Sequence, residues 1–301
     1  MKMAETKIAV YRFMSAGCNG CDVQILECLV PRYKLGELGI EVVFTPEEAN
    51  VLAVTGSLNI KGAEELKKAY EKLKPPRIVV AIGNCATTRG IFSEGYPIVG
   101  PPDRLIPVSL YIPGCPPRPQ AIVSAIAKVL GAHLDEEEDY WKAPEGFRGR
   151  HEFDVEKCMA CGACAQVCSS DAIEVSDSDG KRLIRINYAR CTFCGFCQDE
   201  CPTQAIRLTR EYHLSTDDKE TAYVTNEVEM LRCHICGSYY VPSEQIKWAI
   251  GRIMDKVAAY RDLRKRLEDA MQICPTCRRK IGNIENAKRL LANLTIKTRK
   301  S

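Results

Sequence analysis

The seventeen cysteines of this 301-residue chain resolve into four quartets and a single remainder. Cys158, Cys161, Cys164 and Cys168 follow C-x2-C-x2-C-x3-C, and Cys191, Cys194, Cys197 and Cys201 repeat it. Cys233/Cys236 and Cys274/Cys277 are two C-x-x-C pairs, Cys18, Cys21, Cys85 and Cys115 are scattered upstream, and Cys28 is left over. Thiols at such close, repeated spacing suit metal or iron–sulfur ligation far better than a disulfide framework. The chemistry on offer is electron transfer. No general base, nucleophile or phosphate-binding loop accompanies the cysteines, so the chain would position and tune cofactors.

A cubane 4Fe–4S cluster needs four thiolates at the corners of a tetrahedron. A tight loop with a cysteine every third residue supplies three, and the fourth must come from elsewhere. In duplicated units the distant cysteine of each half reaches the other half's cluster. One cluster is therefore assigned to Cys158, Cys161, Cys164 and Cys201, and another to Cys168, Cys191, Cys194 and Cys197. Gly162 and Gly195, just after the second cysteine of each run, let backbone amides approach the sulfurs and tune them. Asp171-Ala172-Ile173 and Gln204-Ala205-Ile206 occupy equivalent places after each last cysteine, which marks a duplicated unit. These residues resemble two-cluster bacterial ferredoxins. One departure is Ser169 after Cys168, where Pro202 follows Cys201 and proline is the usual choice; no ligand is lost by it.

The upstream quartet depends on elements that bring distant loops together. Short β-branched or apolar runs at residues 8–13, 40–44, 51–55, 77–82 and 105–110 predict buried parallel strands. Residues 63–74 and 119–130 have helical composition and spacing between them. Such alternation predicts right-handed crossovers and an open, doubly wound α/β sheet. Cys18-Asn19-Gly20-Cys21-Asp22 then follows the first strand, Gly83-Asn84-Cys85-Ala86 the fourth, and Pro113-Gly114-Cys115-Pro116-Pro117 the fifth. All three loops leave carboxyl ends of strands, the edge where open α/β sheets bind ligands. A single cysteine is more often a small buried hydrophobe; four at matching strand ends favour one shared cluster. Cys28, in a helix-like run, reads as a core thiol.

Composition is that of a globular protein, 46% hydrophobic and 27% charged, with material for two or three domains. Residues 1–135 form the expected α/β domain and 136–150, with the acidic run at 135–139, a linker. Residues 151–215 are the two-cluster domain and 222–301 the C-terminal region. No apolar run approaches the roughly 20 residues of a membrane span, and the start lacks a signal-peptide pattern. With so many ligand-type thiols, a reducing cytoplasm is expected. From residue 241 onward there are 15 Lys/Arg against 6 Asp/Glu. That bias suits an anionic partner or simply an exposed helical face.

The C-terminal pairs, Cys233-His234-Ile235-Cys236 and Cys274-Pro275-Thr276-Cys277, resemble zinc knuckles. Four thiolates would form a closed tetrahedral site; a rubredoxin-like iron or metal-free pairs are the alternatives. His234 reads as a bystander. Between the pairs lies an amphipathic helical stretch, with Ile246, Ile250, Ile253, Val257, Tyr260, Leu263 and Leu267 at steps of three and four. An unbroken helix over 243–271 would span roughly 43 Å, whereas its connectors reach only about 30 Å together. A shared site thus requires the stretch to fold back, near Gly251 or after Tyr260. A second, shorter helix is expected near 283–294.

C-N-G-C-D, G-N-C-A and P-G-C-P-P together resemble the small subunit of membrane-bound, energy-converting nickel–iron hydrogenases, which is similar to the complex I subunit carrying the terminal cluster. The resemblance covers about residues 8–130. It implies a flavodoxin-like domain with one 4Fe–4S cluster on Cys18, Cys21, Cys85 and Cys115, lying against a large subunit that holds nickel and iron. Complex I relatives carry two adjacent cysteines where this chain separates Cys18 and Cys21 by two residues, which favours hydrogenase. Residues 151–280 resemble the ferredoxin subunit of formate hydrogenlyase-type complexes. The chain thus looks like a fusion of two electron-transfer subunits, with three 4Fe–4S clusters and a zinc. The implied partners are the large subunit, an electron-donor subunit or ferredoxin, and integral-membrane ion-translocating subunits. The implied place is the cytoplasmic face of the membrane. A quinone-linked subunit, a soluble hydrogenase subunit and, more remotely, a nucleic-acid-binding knuckle protein are the competing readings. Arg278, Arg279 and Lys280 make the last imaginable, but no aromatic stacking platform accompanies them.

Overall fold

Five apolar segments pair into one parallel sheet: β1 (Ile8–Met14), β2 (Ile40–Val43), β3 (Val51–Thr55), β4 (Ile78–Ile82) and β5 (Leu110–Ile112). Their order is β2-β1-β3-β4-β5, with every neighbouring pair parallel. That is the flavodoxin-like order, and it reverses between β1 and β3. The computed structural model describes residues 8–33, 35–36, 38–131, 134, 139–256, 261–280 and 288.

Alternation along the central strand explains why its sequence is wholly apolar. Val51 and Ala53 join a core with Val10, Val80, Ile112, Ile25 of α1 (Gly20–Glu27) and Ile122 and Val123 of α4 (Pro119–Leu130). Leu52 and Val54 face the other way, onto Leu66 and Ala69 of α2 (Ile60–Lys72). Successive side chains of a strand point to opposite faces, so helices on both faces demand an unbroken apolar run. The helix ends are sequence-encoded too. The Asn59 side chain caps α2 by accepting from the Gly62 N–H at 2.7 Å, and α4 opens on Pro119 and closes at left-handed Gly131. Cys28 caps the end of α1, is 3% exposed, and donates its thiol to the Gln24 carbonyl at 3.1 Å.

The fifth strand differs from expectation. It begins at Leu110 rather than 105. Pro107 has no N–H to give a ladder, and Leu105, Ile106 and Val108 instead pack as non-strand chain on the Leu52 and Leu66 core. The apolar run signalled burial, not pairing.

Downstream come β6 (His151–Phe153), α5 (Ala163–Gln166), β7 (Ile173–Ser178), β8 (Lys181–Asn187), α6 (Phe196–Asp199), β9 (Ile206–Leu208), β10 (Tyr223–Arg232) and β11 (Tyr239–Pro242). The chain forms two units. The first comprises residues 1–154, 163–174 and 185–225, the second 155–162, 175–184 and 226–301. In the first, β6 and β9 pair antiparallel, Phe153 opposite Ile206. The second is built on strands ordered β11-β10-β8-β7, followed by α7 (Ser243–Lys256), α8 (Arg261–Met271) and α9 (Pro275–Arg279).

Residues 135–138 of the acidic run, Val257 and Tyr260 of the amphipathic stripe, and nearly all of the expected helix near 283–294 lie outside the described residues. Ile250 of that stripe is buried, and Ile253 is exposed. Among the described residues no helix is long and apolar enough to cross a membrane.

Candidate functional site

The loops after β1, β4 and β5 bring Cys18, Cys21, Cys85 and Cys115 to one edge of the sheet. Cys21 lies in the first turn of α1 and Cys85 in α3 (Asn84–Thr88). The thiols are close enough to titrate against one another. Burial, then Cys85, Cys115, Cys18 and Asp22, push Cys21 far above the ordinary thiol range. Burial, then Cys115 and Cys18, push Cys85 up to about 12. Cys115 is raised by burial and by Cys18. Thiols crowded together in this way become thiolates together when metal charge compensates them. The backbone makes room for the sulfurs as well. Gly83 has φ +85°, and a Cβ there would stand 2.2 Å from Cys21 Sγ.

Several polar groups beside the quartet are paired. The Asp22 carboxylate, 6% exposed, accepts from Thr55 Oγ1 at 3.0 Å, with Arg12 Nη1 3.8 Å away. Ser57 Oγ donates to the carbonyls of Cys85 and Arg89, each at 3.2 Å. Asn84, beside Cys85, accepts from the Gly114 N–H at 2.7 Å and donates to the carbonyl of Cys191 at 2.6 Å.

Cys168, Cys191, Cys194 and Cys197 form a second thiol group in the same unit. Burial pushes Cys191 up to about 12, eased by the Phe193 N–H and then increased by Cys197, Cys168 and Cys194. Cys197 is pushed up to about 11 by burial, then Cys194 and Cys168. Backbone amides point at the sulfurs: Phe193 N–H donates to Cys191 Sγ and Ala172 N–H to Cys168 Sγ, both at 3.2 Å. Arg148 donates to the carbonyl of Cys194. His151, 2% exposed, places Nε2 3.8 Å from Cys191 Sγ, and burial lowers its pKa to about 4. Amide donors, an arginine and partial burial of the thiols are features that hold and tune a thiolate-bound cluster.

The other ferredoxin-type quartet is divided between the units, Cys158 and Cys161 in the second, Cys164 and Cys201 in the first. Its local geometry repeats that of its twin. Cys201 Sγ accepts from the Ala205 N–H at 3.2 Å, as Cys168 does from Ala172. Left-handed φ recurs at Ala160 and Phe193, Gly162 and Gly195, Asp171 and Gln204. Burial raises the Cys201 pKa, but amides of Ala205, Thr203 and Ile206 and the Thr203 hydroxyl outweigh it and lower the net value.

Cys233, Cys236, Cys274 and Cys277 have all four sulfurs within 4.8 Å of one another, with Cys236 and Cys274 3.8 Å apart. A tetrahedral ion with Zn–S of about 2.3 Å places its sulfurs about 3.8 Å apart. This spacing fits a single tetrahedral ion. N–H groups of Cys236 and Cys274 pull the Cys233 pKa down. α7 runs through Gly251 unbroken and ends at Lys256, and α8 begins at Arg261, so the stretch is two helices rather than one. The His234 N–H then reaches the Gln272 carbonyl at 3.1 Å. His234 itself is exposed and outside the sulfur group.

Sequence comparison agrees with this division. Residues 18–129 match the NADH ubiquinone oxidoreductase, 20 Kd subunit family, and residues 157–205 match a 4Fe-4S dicluster domain. An uncharacterized protein of Methanocaldococcus jannaschii is 53% identical over 115 residues, covering 38% of this chain and 77% of that protein. The chain belongs to the 20 Kd subunit family. Another member is a probable membrane-bound hydrogenase subunit, mbhJ, of Pyrococcus furiosus, 41% identical over 121 residues, 40% of this chain and 72% of that protein. Formate hydrogenlyase subunit 7 of Escherichia coli is 35% identical over 131 residues, 44% of this chain and 51% of its own. In this family member the 20 Kd-type domain is joined to a dicluster domain in one polypeptide.

Sequence reasoning named the cysteines but not their supports. Asp22 and Asn84 stand inside the quoted motifs C-N-G-C-D and G-N-C-A, next to cysteines, and that adjacency was a usable signal. His151, Ser57, Thr55 and Arg12 carry none, because their roles depend on pairings across many residues.

Proposed function

We propose that this chain is an electron-transfer subunit of a membrane-associated nickel–iron hydrogenase complex, carrying three 4Fe–4S clusters and one structural zinc. Residues 1–135 hold the exit cluster on Cys18, Cys21, Cys85 and Cys115, and 136–150 link them to the two-cluster domain at 151–215. There, Cys158, Cys161, Cys164 and Cys201 hold one cluster, and Cys168, Cys191, Cys194 and Cys197 the other. Residues 222–301 hold zinc in a ribbon-like site on Cys233, Cys236, Cys274 and Cys277. The observation that carries the reading is the meeting of four cysteine thiols from the loops after three strands in a domain of the 20 Kd family.

Electrons from a low-potential donor pass through the dicluster domain to the exit cluster, and from there to a large partner subunit that reduces protons. Joining the two domains replaces a docking step between separate subunits with a high effective concentration. Membrane attachment comes through integral-membrane partners at the cytoplasmic face. The C-x-x-C spacing of Cys18 and Cys21 favours hydrogenase over a quinone-linked relative. Isolating the native complex tests this: nickel bound to a copurifying large chain, with hydrogen evolution from a reduced low-potential dye, is the expected result. A nickel-free complex that reduces quinone would overturn it.

A further inference from the structure

Asn84 is 2% exposed and belongs to no cysteine quartet, yet its side chain is spent between two of them. Nδ2 donates to the carbonyls of Cys191 at 2.6 Å and Tyr188 at 3.0 Å, and Oδ1 accepts from the Gly114 N–H at 2.7 Å. Both amide hydrogens and an acceptor site are thereby satisfied. Covalently, Asn84 precedes Cys85 and Gly114 precedes Cys115. One carboxamide therefore joins the neighbours of two thiols in the upstream quartet to Cys191 of the other. A route from Cys191 to Cys85 through it contains a single non-covalent contact. One turn along, Thr88 Oγ1 donates to the Ala189 carbonyl at 2.8 Å and fastens the same pair of loops. An apolar side chain could close this gap without burying so many polar groups; an amide adds fixed direction and a short, polarised contact.

Resting on the cluster assignment above, we propose that Asn84 is a positioning residue that sets the electronic contact between two centres. It makes the Cys168, Cys191, Cys194 and Cys197 centre the one from which electrons cross to the Cys18, Cys21, Cys85 and Cys115 centre. In that step the first centre is oxidised by one electron and the second reduced by one. No bond forms or breaks, and the electron comes from an external low-potential one-electron donor.

The test uses the full chain, reduced with dithionite and followed by low-temperature electron paramagnetic resonance. With both centres reduced, each splits the other's lines in the unaltered protein. Asn84→Asp keeps an acceptor for Gly114 but turns an oxygen toward the Cys191 and Tyr188 carbonyls. The expected result is a reduced splitting, through loss of the part carried by the contact, while both signals persist. Splitting that stays unchanged in Asn84→Asp overturns the proposal. If that variant does not fold, Thr88→Val decides by the same readout: reduced splitting supports the contact, and unaltered splitting overturns it. Absence of either signal from the unaltered protein would instead overturn the underlying cluster assignment. Both signals without any splitting would overturn the Asn84 proposal alone.

Discussion

On the proposed function, replacing Cys21 with Ala is expected to abolish hydrogen evolution by the complex and to leave two ferredoxin-type signals in electron paramagnetic resonance. Cys21 is the member of its quartet on which the other three thiols and Asp22 all act. Its sulfur fills the space that Gly83 leaves open. Alanine removes one of four ligands, and water is a poor replacement in so buried a place. The flavodoxin-like core is untouched, because Cys21 is only partly buried against it. The dicluster domain draws its ligands from other loops. The proposed path is therefore cut at its last step while its first two centres remain reducible. Spectroscopy of the reduced variant together with a hydrogen assay checks this; full activity would mean that electrons do not pass through this quartet.

Gly83→Ala has the same functional outcome without removing any ligand. Its backbone sits at φ +85°, and the added Cβ would lie 2.2 Å from Cys21 Sγ, well inside contact distance. The left-handed backbone costs about 1–2 kcal/mol for a residue with a Cβ, and overpacking adds about 1–3 kcal/mol. A domain stable by about 5–15 kcal/mol survives such a loss. The sulfur does not survive it in place. The expected variant is folded by circular dichroism and melts lower. Its upstream centre is absent or broadened, and the two ferredoxin-type signals are unchanged. An unaltered upstream signal would show that the glycine is not part of the cradle.

The cysteine groups were legible because their spacing is a local trace in the sequence. The doubled C-x2-C-x2-C-x3-C run carries its own repeat, and the structure renders it twice, down to the Cys168–Ala172 and Cys201–Ala205 amide bonds. The central strand, Val51–Thr55, was legible because burial on both faces demands an unbroken apolar segment. The same rule misplaced the last strand of the sheet, since residues 105–109 are apolar for packing and Pro107 cannot join a ladder. That the C-terminal stretch is not one helix followed from chain length and reach; of the two places expected, Gly251 continues α7, whereas α8 begins at Arg261, directly after Tyr260. The link from Asn84 to Cys191, unlike its place beside Cys85, was out of reach, and so was the role of His151. Each acts on Cys191, 107 and 40 positions away, and only the fold makes them neighbours.

The central claim is that three clusters and one ion share this chain. Iron, acid-labile sulfide and zinc analysis of the anaerobically purified full chain, with spin counting after complete reduction, tests it most directly. The account predicts about twelve iron and twelve sulfide for three 4Fe–4S centres, three spins, and about one zinc per chain. About eight iron and two spins from a fully loaded preparation would contradict it, leaving Cys18, Cys21, Cys85 and Cys115 as thiols without a cluster.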